Sequence, residues 1–308
     1  MPISKAMLAA LKTLSYPDID IKKTYKIKRQ IENLKIRSVL DGDKYQIWDR
    51  TVKNNDYDVP VRIFYPKDSE QDKLIIYFHG GGWVIGNIDS YTRVCANLAK
   101  ETNHIVVSVD YRLAPEYKFP IGLEDCYAVA KEIYVKGIFD GIKAENITIM
   151  GDSAGGNFTA AISLMARDRK EFKVFNQIMI YPATGNNYTE SSIFDSVRTN
   201  GKDYLLTSNR VLGYMNLYMN NEDDRKNPYF SPLMETDLSD QPRTLIITAE
   251  FCPLRDEGEF YGQLLKENGN NVEIHRMPDA LHGYFSLSPK FKAVKNTYVL
   301  VNEFLRRR

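Results

Sequence analysis

The residues with the clearest chemical potential lie in the stretch IMGDSAGGN, which follows a short apolar run and opens a helical pattern. Residues 151–155 match G-x-S-x-G, in which a serine occupies a sharp turn between a strand and a helix. Side chains two residues before and after the serine would clash in this turn, which explains Gly151 and Gly155. The pattern alone is weak, but its place between a strand and a helix supports it. We therefore predict that Ser153 is a nucleophile for acyl transfer.

A second feature is the run of three glycines, Gly80 to Gly82, which follows the strand pattern LIIYF and His79. Acyl transfer through a serine forms a tetrahedral oxyanion, which preorganised N–H donors must stabilise. Because glycine has no side chain, its amides stay accessible. We expect this loop to supply two donors and Ala154 a third. A phosphate-binding loop is the alternative, but no Lys-Ser/Thr pair follows the glycines and no helix begins directly after them.

A base is needed to deprotonate the serine, and the sequence contains four histidines. His79 belongs to the glycine loop, and His104 and His275 lie at or within strand patterns, where a structural role is more common. His282 lies in PDALHGYF, beyond the last strand pattern and before the last helix. A serine followed by a histidine near the C-terminus is the order found with this strand–serine–helix turn. We predict that His282 is the general base.

The elements that must position these residues alternate between strand and helix patterns from residue 46 onward. Most of the later strand patterns are short and continuously apolar, as is typical of parallel strands covered on both faces. The alternation predicts an α/β fold with a mostly parallel eight-stranded sheet and helices on both faces. The first two strands, joined by the polar turn KNNDYD, are expected to be antiparallel. The strands are predicted at 46–53, 59–66, 74–78, 104–110, 147–150, 177–182, 244–249 and 272–277, and the helices at 89–102, 122–137, 154–168, 253–269 and 289–306.

Residues 1–45 and 183–230 fall outside this alternation. The first segment has the pattern of charged helices, and the second is a long insertion after the sixth strand. Insertions of this length tend to be lids or binding elements. We predict that both segments form a helical cap over the carboxyl ends of the strands, where ligands bind in open α/β sheets. Residues 46–308 then form the catalytic domain, with 183–230 contributing to the cap.

The composition is that of an ordinary globular protein, with 308 residues, 43% of them hydrophobic, and a net charge of +1. This charge gives no reason to expect binding to nucleic acid or to an anionic membrane. The three cysteines are widely spaced without a CxxC pair, which disfavours disulfides and zinc and favours a reducing compartment. The apolar runs are too short for a signal peptide or a membrane span. We expect a cytoplasmic protein without membrane insertion, and a homo-oligomer is compatible with the sequence.

Together with further motifs, these residues resemble the bacterial hormone-sensitive-lipase-like esterases of the α/β-hydrolase fold. The resemblance extends from about residue 58 onward and rests on HGGGWVIG, DYRLAPE, GDSAGGN, NPYFSPL, LRDEGE and HGY. It implies hydrolysis of small-molecule carboxylic esters, usually with short or medium acyl chains, without a metal or cofactor. It also implies an N-terminal cap, and an oxyanion hole formed by the amides of Gly81, Gly82 and Ala154.

One position departs from the pattern of this family. The family has Asp-Pro before LRDEG, and that aspartate is the acid of the triad, whereas this chain has Cys252. Without an anion at its Nδ1–H, a catalytic histidine loses its preferred tautomer and the stabilisation of its imidazolium. In a serine protease this change lowers turnover by about 10⁴. We therefore expect a slow esterase, and the alternative is a degenerate hydrolase that binds a small ligand without turnover.

The surroundings of Cys252 lead to further expectations. Pro253 suits the first position of a helix, so Cys252 is expected to be the N-cap. There the helix dipole would lower the pKa of the thiol, and if His282 lies where the fold puts it, the two could exchange a proton and form a thiolate–imidazolium pair. Asp256 and Glu250 are candidate substitute acids, but we expect each to have a structural partner of its own.

Overall fold

The computed structural model describes residues 5–15, 20–34, 46–66, 72–137, 139 and 141–307, and these form a central sheet with helices on both faces. The continuous apolar runs become the innermost strands, where every side chain of β3 and β4 is buried. Their burial drives formation of the sheet, since covering a large apolar side chain contributes roughly 1.5–3 kcal/mol. The eight strands are β1 (Gln46–Asn54), β2 (Tyr57–Tyr65), β3 (Leu74–Phe78), β4 (Ile105–Val109), β5 (Ile147–Asp152), β6 (Asn176–Ile180), β7 (Arg243–Phe251) and β8 (Val272–Leu281).

The strands lie in the order β1-β2-β4-β3-β5-β6-β7-β8. The predicted antiparallel pairing of β1 with β2 is confirmed, and β2 is also antiparallel to β4. All other neighbours are parallel. The carboxyl ends of β3 and β5 to β8 therefore meet at one edge of the sheet, so segments distant in sequence converge there.

Helices cover both faces of the sheet, as predicted. Helix α8 and helix α9 both contact β7 and β8, while α4 packs beside α5 and α3 beside α9. None of the described helices is long and apolar enough to cross a membrane. The helices that cover the sheet are α3 (Thr92–Thr102), α4 (Ile121–Lys136), α5 (Ala154–Arg169), α8 (Arg255–Glu267) and α9 (Lys292–Arg306).

Among the described residues, four further α-helices lie outside the sheet and its covering layers: α1 (Lys5–Ser15), α2 (Ile21–Leu34), α6 (Asp195–Thr199) and α7 (Ser208–Tyr218). Helix α1 contacts the insertion through an ion pair of 3.2 Å between Lys12 and Asp203. The amide of Leu205 also donates to the hydroxyl of Ser15 over 3.0 Å. Helix α2 packs against α7. These contacts support the predicted cap, of which residues 1–4, 16–19 and 35–45 lie outside the described residues.

Candidate active site

The turn from β5 into α5 positions Ser153. Its φ of 55° and ψ of −116° lie outside the usual regions for a residue with a side chain, a strain that is typical of functional positions. The flanking glycines are required by close backbone packing. A Cβ at Gly151 would lie 2.2 Å from the carbonyl oxygen of Gly155, and a Cβ at Gly155 would lie 1.9 Å from that of Phe78. The start of α5 is therefore packed directly against the end of β3.

His282 follows β8 directly and reaches Ser153 from 129 positions along the chain. Its Nε2 lies 2.8 Å from Ser153 Oγ, which is hydrogen-bond distance. The ring of Tyr181 packs against the imidazole at 4.6 Å between ring centroids. Burial lowers the pKa of His282 below its ordinary value, so the imidazole is neutral near pH 7 and can accept a proton.

The glycine loop supplies amides beside Ser153. Within the described part of the chain, the amides of Gly81 and Gly82 donate no hydrogen bond to protein. The amide of Gly80 is already used, because it donates to the Asp152 carboxylate over 2.9 Å. Ala154 is the first residue of α5, where an N–H has no acceptor within its own helix. Three amides are therefore available for an oxyanion: those of Gly81, Gly82 and Ala154.

The shape of this loop needs glycine at two of its positions. Gly81 has a φ of +121°, and a Cβ there would lie 2.0 Å from the carbonyl oxygen of Ile85. Gly82 has a φ of +61°, and a Cβ there would lie 2.5 Å from the ring of Tyr214 on α7. Helix α7 is thus in direct contact with the glycine loop.

The buried carboxylate of Asp152 holds the start of the loop, a role that sequence reasoning missed. It accepts hydrogen bonds from the hydroxyls of Tyr77 at 2.8 Å, Tyr91 at 3.1 Å and Tyr181 at 3.4 Å. Burial outweighs these bonds and raises the pKa of Asp152 to about 6. The three tyrosines come from separate elements, so no spacing in the sequence reveals the cluster.

Cys252 lies at the end of β7, with its Sγ 3.1 Å from His282 Nδ1. The expected N-cap role is wrong, because α8 begins at Arg255 with Leu254 as its N-cap. Residues 252–255 form a turn instead, in which the amide of Arg255 donates to the Cys252 carbonyl over 3.2 Å. The amide of Leu254 donates to Sγ over 3.3 Å.

The expected lowering of the thiol pKa is also wrong. Cys252 is fully buried, and loss of solvation raises the pKa of its thiol despite the hydrogen bond from Leu254. Since burial also lowers the pKa of His282, both partners are neutral. The expected thiolate–imidazolium pair is therefore not favoured.

The two candidate substitute acids have other partners, as expected. A carboxylate oxygen of Glu250 accepts a hydrogen bond from the amide of Asp279 over 2.7 Å. Asp256 accepts one from the amide of Ser196 over 2.7 Å and pairs with Arg255 at 2.7 Å. Among the contacts of the described residues, neither carboxylate hydrogen-bonds to His282.

The remaining histidines have structural surroundings. His79 is buried, with Nδ1 2.7 Å from the Gly80 carbonyl oxygen, and its ring stacks on Tyr111. His104 Nδ1 lies 2.7 Å from the Thr102 carbonyl oxygen. His275 lies on β8, 3.7 Å from Glu273. His282 is the histidine that the fold brings to Ser153.

A cavity of about 200 Å³ opens above the serine. In the part of the chain that the structure describes, no group of three or more His, Cys, Asp or Glu side chains could hold a metal ion. The lining is mainly apolar and includes side chains from the loops and from the insertion 183–230: Trp83, Ile85, Leu206, Val211, Tyr214 and Leu254.

Known proteins resemble this chain in sequence and in architecture. A family model described as alpha/beta hydrolase fold matches residues 75–286. An arylesterase of Saccharolobus solfataricus is 35% identical over 265 residues, which cover 86% of this chain and 85% of that protein. An ethyl acetate hydrolase of Pseudomonas putida is 29% identical, over 80% of this chain and 78% of that protein. Among solved structures, a hyperthermophilic esterase of Pyrobaculum calidifontis has a TM-score of 0.87 at 34% identity, over 99% of this chain and 98% of that chain. The chain therefore belongs to the hormone-sensitive-lipase-like family of the α/β-hydrolase fold.

Proposed function

We propose that this protein hydrolyses carboxylic esters, with Ser153 as the nucleophile and His282 as the general base. The observation that carries the proposal is the 2.8 Å contact between Ser153 Oγ and His282 Nε2, beside three available amides. A pair of this kind activates a serine hydroxyl that is otherwise a weak nucleophile.

The first half of the reaction forms an acyl-enzyme. His282 Nε2 takes the proton of Ser153 as Oγ bonds to the ester carbonyl carbon. The carbonyl oxygen becomes an oxyanion, which accepts hydrogen bonds from the amides of Gly81, Gly82 and Ala154. When the intermediate collapses, the bond to the alkoxy oxygen breaks, and His282 returns the proton to the leaving alcohol.

The second half releases the acid. His282 takes a proton from a water molecule, whose oxygen attacks the acyl carbon and forms a second oxyanion at the same three amides. The bond to Oγ then breaks, the carboxylic acid leaves, and Ser153 recovers its proton from His282.

Cys252 orients His282 less strictly than a carboxylate would. A carboxylate only accepts hydrogen bonds, so it keeps the imidazole proton on Nδ1 and leaves Nε2 free to act as the base. A neutral thiol also donates, and when it donates to Nδ1 the proton moves to Nε2, where it blocks the reaction. A thiol also lacks the charge that stabilises an imidazolium. We therefore propose a slow esterase with an impaired triad.

The substrate is proposed to be an ester with a short acyl chain, from acetyl to hexanoyl. A cavity of about 200 Å³ has room for a small ester, and Tyr214 of the cap lines it beside Gly82. The P. putida relative, whose name states that it hydrolyses ethyl acetate, is consistent with this size. Activity toward acetyl to hexanoyl esters should exceed that toward long acyl chains, and a preference for insoluble triglyceride would contradict the proposal.

The proposed nucleophile is tested by labelling with a fluorophosphonate, which forms a covalent bond with an activated serine. The wild-type protein should be labelled with a stoichiometry of one, and Ser153→Ala should abolish labelling. Labelling of the alanine variant at the wild-type level would disprove the assignment.

The second candidate function is a binding protein derived from a hydrolase, and the neutral contact between Cys252 and His282 is the observation that favours it. Single-turnover acylation by a p-nitrophenyl ester distinguishes the two. Release of one p-nitrophenol per protein supports the enzyme, whereas ligand binding without release supports the binding protein.

We also propose that residues 1–45 and 183–230 act together as the cap over this cavity, and that the protein works in a reducing compartment such as the cytoplasm. The contacts of α1 and α2 with the insertion support the first point. The free state of all three cysteines, Cys95, Cys126 and Cys252, supports the second.

A further inference from the structure

The side chain of Arg29 on α2 reaches from the cap into the loop that carries the oxyanion amides. Its Nε donates to the Val84 carbonyl over 2.7 Å, and its Nη2 donates to the Ala114 carbonyl over 2.7 Å. It also pairs with Glu116 at 2.9 Å. One guanidinium thus binds the end of the glycine loop and the segment DYRLAPE at the same time, which its fixed fork of donors allows.

The loop itself is conformationally unfavourable. Gly81, Gly82 and Trp83 have successive φ values of 121°, 61° and 61°. Trp83 carries a bulky side chain in a region that such residues rarely adopt. A backbone of this kind persists only when its surroundings hold it in place.

Contacts at both ends of the loop provide this support. At the start, the Asp152 carboxylate binds the amide of Gly80. At the end, Arg29 binds the carbonyl of Val84, and the amide of Ala114 donates to the carbonyl of Trp83 over 2.9 Å. Because Arg29 also binds the carbonyl of Ala114, it connects the two loop segments that this backbone hydrogen bond joins. The start of the loop is thus bound by Asp152 of the catalytic domain, whereas its end is bound in part by Arg29 of the cap.

We infer that Arg29 is a positioning residue, which couples the seating of α2 to the geometry of the oxyanion hole. The inference rests on the proposed function, since it concerns the Gly81 and Gly82 amides in that reaction. Loss of the Arg29 contacts should destabilise the transition state, because those amides bind the developing oxyanion rather than the neutral ester. Misplacement by about 1 Å in such a site can lower the rate by about 10².

The ion pair with Glu116 offers a matched control. The side chain of Glu116 is 45% exposed, and exposed ion pairs contribute little to stability. Glu116→Gln removes this pair but leaves both carbonyl contacts of Arg29. Arg29→Gln removes the carbonyl contacts as well. Lys12→Gln serves as a second control, because it removes a contact of the cap that does not reach the loop.

The experiment measures kcat and KM for p-nitrophenyl butyrate, together with the inhibition constant of a trifluoromethyl ketone, which forms an oxyanion at the serine. For Arg29→Gln we expect kcat to fall by about 10- to 100-fold with KM changed less than about threefold, and the ketone to bind more weakly by a similar factor. For Glu116→Gln and Lys12→Gln, kcat, KM and the inhibition constant should all stay within about threefold of the wild-type values. Arg29→Lys keeps the charge but cannot bridge both carbonyls, so its kcat should lie between those of Arg29→Gln and the wild type.

The inference is overturned if Arg29→Gln keeps its kcat, or if either control loses as much as Arg29→Gln does. Thermal melting shows whether Arg29→Gln is folded at the assay temperature. If it is not, Arg29→Lys decides, and wild-type kinetics in that variant overturn the inference. Absence of ester hydrolysis and of fluorophosphonate labelling in the wild type would instead overturn the proposed function, and this inference with it.

Discussion

The two sides of His282 are built on different principles. On the serine side, close backbone packing fixes the turn at Ser153. A Cβ added at Gly155 would lie only 1.9 Å from the carbonyl oxygen of Phe78. On the other side, a single buried side chain, Cys252, meets Nδ1 at 3.1 Å. Backbone amides keep their dipoles whichever side chains surround them, whereas the work of a triad acid depends on its charge. Replacing the acid by a thiol therefore removes the charge while the contact itself remains.

The largest expected effect lies on the serine side. Gly81→Ala places a Cβ 2.0 Å from the Ile85 carbonyl oxygen at a φ of +121°, so the loop must shift. We expect kcat for a butyrate ester to fall by about 10² to 10³, the loss typical for one oxyanion donor. Gly269→Ala is the matched control, because Gly269 also has a positive φ, +84°, but has open space around it. An alanine variant at position 81 with half of the wild-type kcat would contradict the assignment of this loop.

The second effect lies on the acid side and has the opposite sign. Cys252→Asp should raise kcat by at least about tenfold, since it restores an anion that accepts the Nδ1 proton. Cys252→Ser should give no such gain, because a hydroxyl is as neutral as the thiol. The measurement is steady-state turnover of the same ester. If Cys252→Asp changes nothing while Asp256→Asn or Glu250→Gln abolishes turnover in a folded protein, one of those carboxylates is the acid.

A smaller effect concerns the insertion 183–230, whose Tyr214 lines the cavity. Tyr214→Ala should raise the ratio of kcat/KM for octanoyl over butanoyl esters by roughly tenfold, as expected if about two of the four extra methylenes become buried at about 0.8 kcal/mol each. Tyr204→Ala removes a tyrosine of the same insertion that stacks on Phe251 outside the cavity lining, and it should leave the ratio unchanged. Equal ratios in both variants would show that another element sets the chain length.

The smallest effect is a shift in pH dependence. His282 must be neutral to act as the base, and in the wild type burial lowers its pKa, so activity should persist well below pH 6.5. A carboxylate at position 252 stabilises the imidazolium and raises this pKa, by about one unit or more. The acidic limb of kcat/KM should therefore lie at higher pH in Cys252→Asp than in the wild type. Superimposable limbs would show that the new carboxylate does not reach His282.

The sequence was informative where local pattern decides structure. The strand LIIYF has identical predicted and observed limits, 74–78, because five continuous apolar residues bounded by polar ones fit a buried strand. The elbow was predictable for a similar reason, since its glycines are a direct result of the turn. The antiparallel pairing of β1 with β2 followed from the short polar turn between them.

Burial and long-range contacts were harder to predict from the sequence. The charge state of Cys252 depends on how completely the surrounding elements exclude water, which spacing along the chain does not reveal. A proline after the cysteine suggested a helix start, but a turn intervenes and α8 begins at Arg255. The tyrosines around Asp152 and the reach of Arg29 to Val84, 55 residues away, have no local signature at all.

The seating of α1 and α2 has a consequence for biosynthesis. Leu205 binds Ser15 across 190 residues, and Arg29 binds Glu116 across 87. During translation these two helices leave the ribosome long before the segments that receive them, and contacts so distant in sequence form slowly. Helices α1 and α2 therefore remain without their native partners while most of the sheet is still being synthesised. For that interval they are a natural target for chaperones, and a ribosome stalled soon after α2 would expose these helices before their partner segments are made.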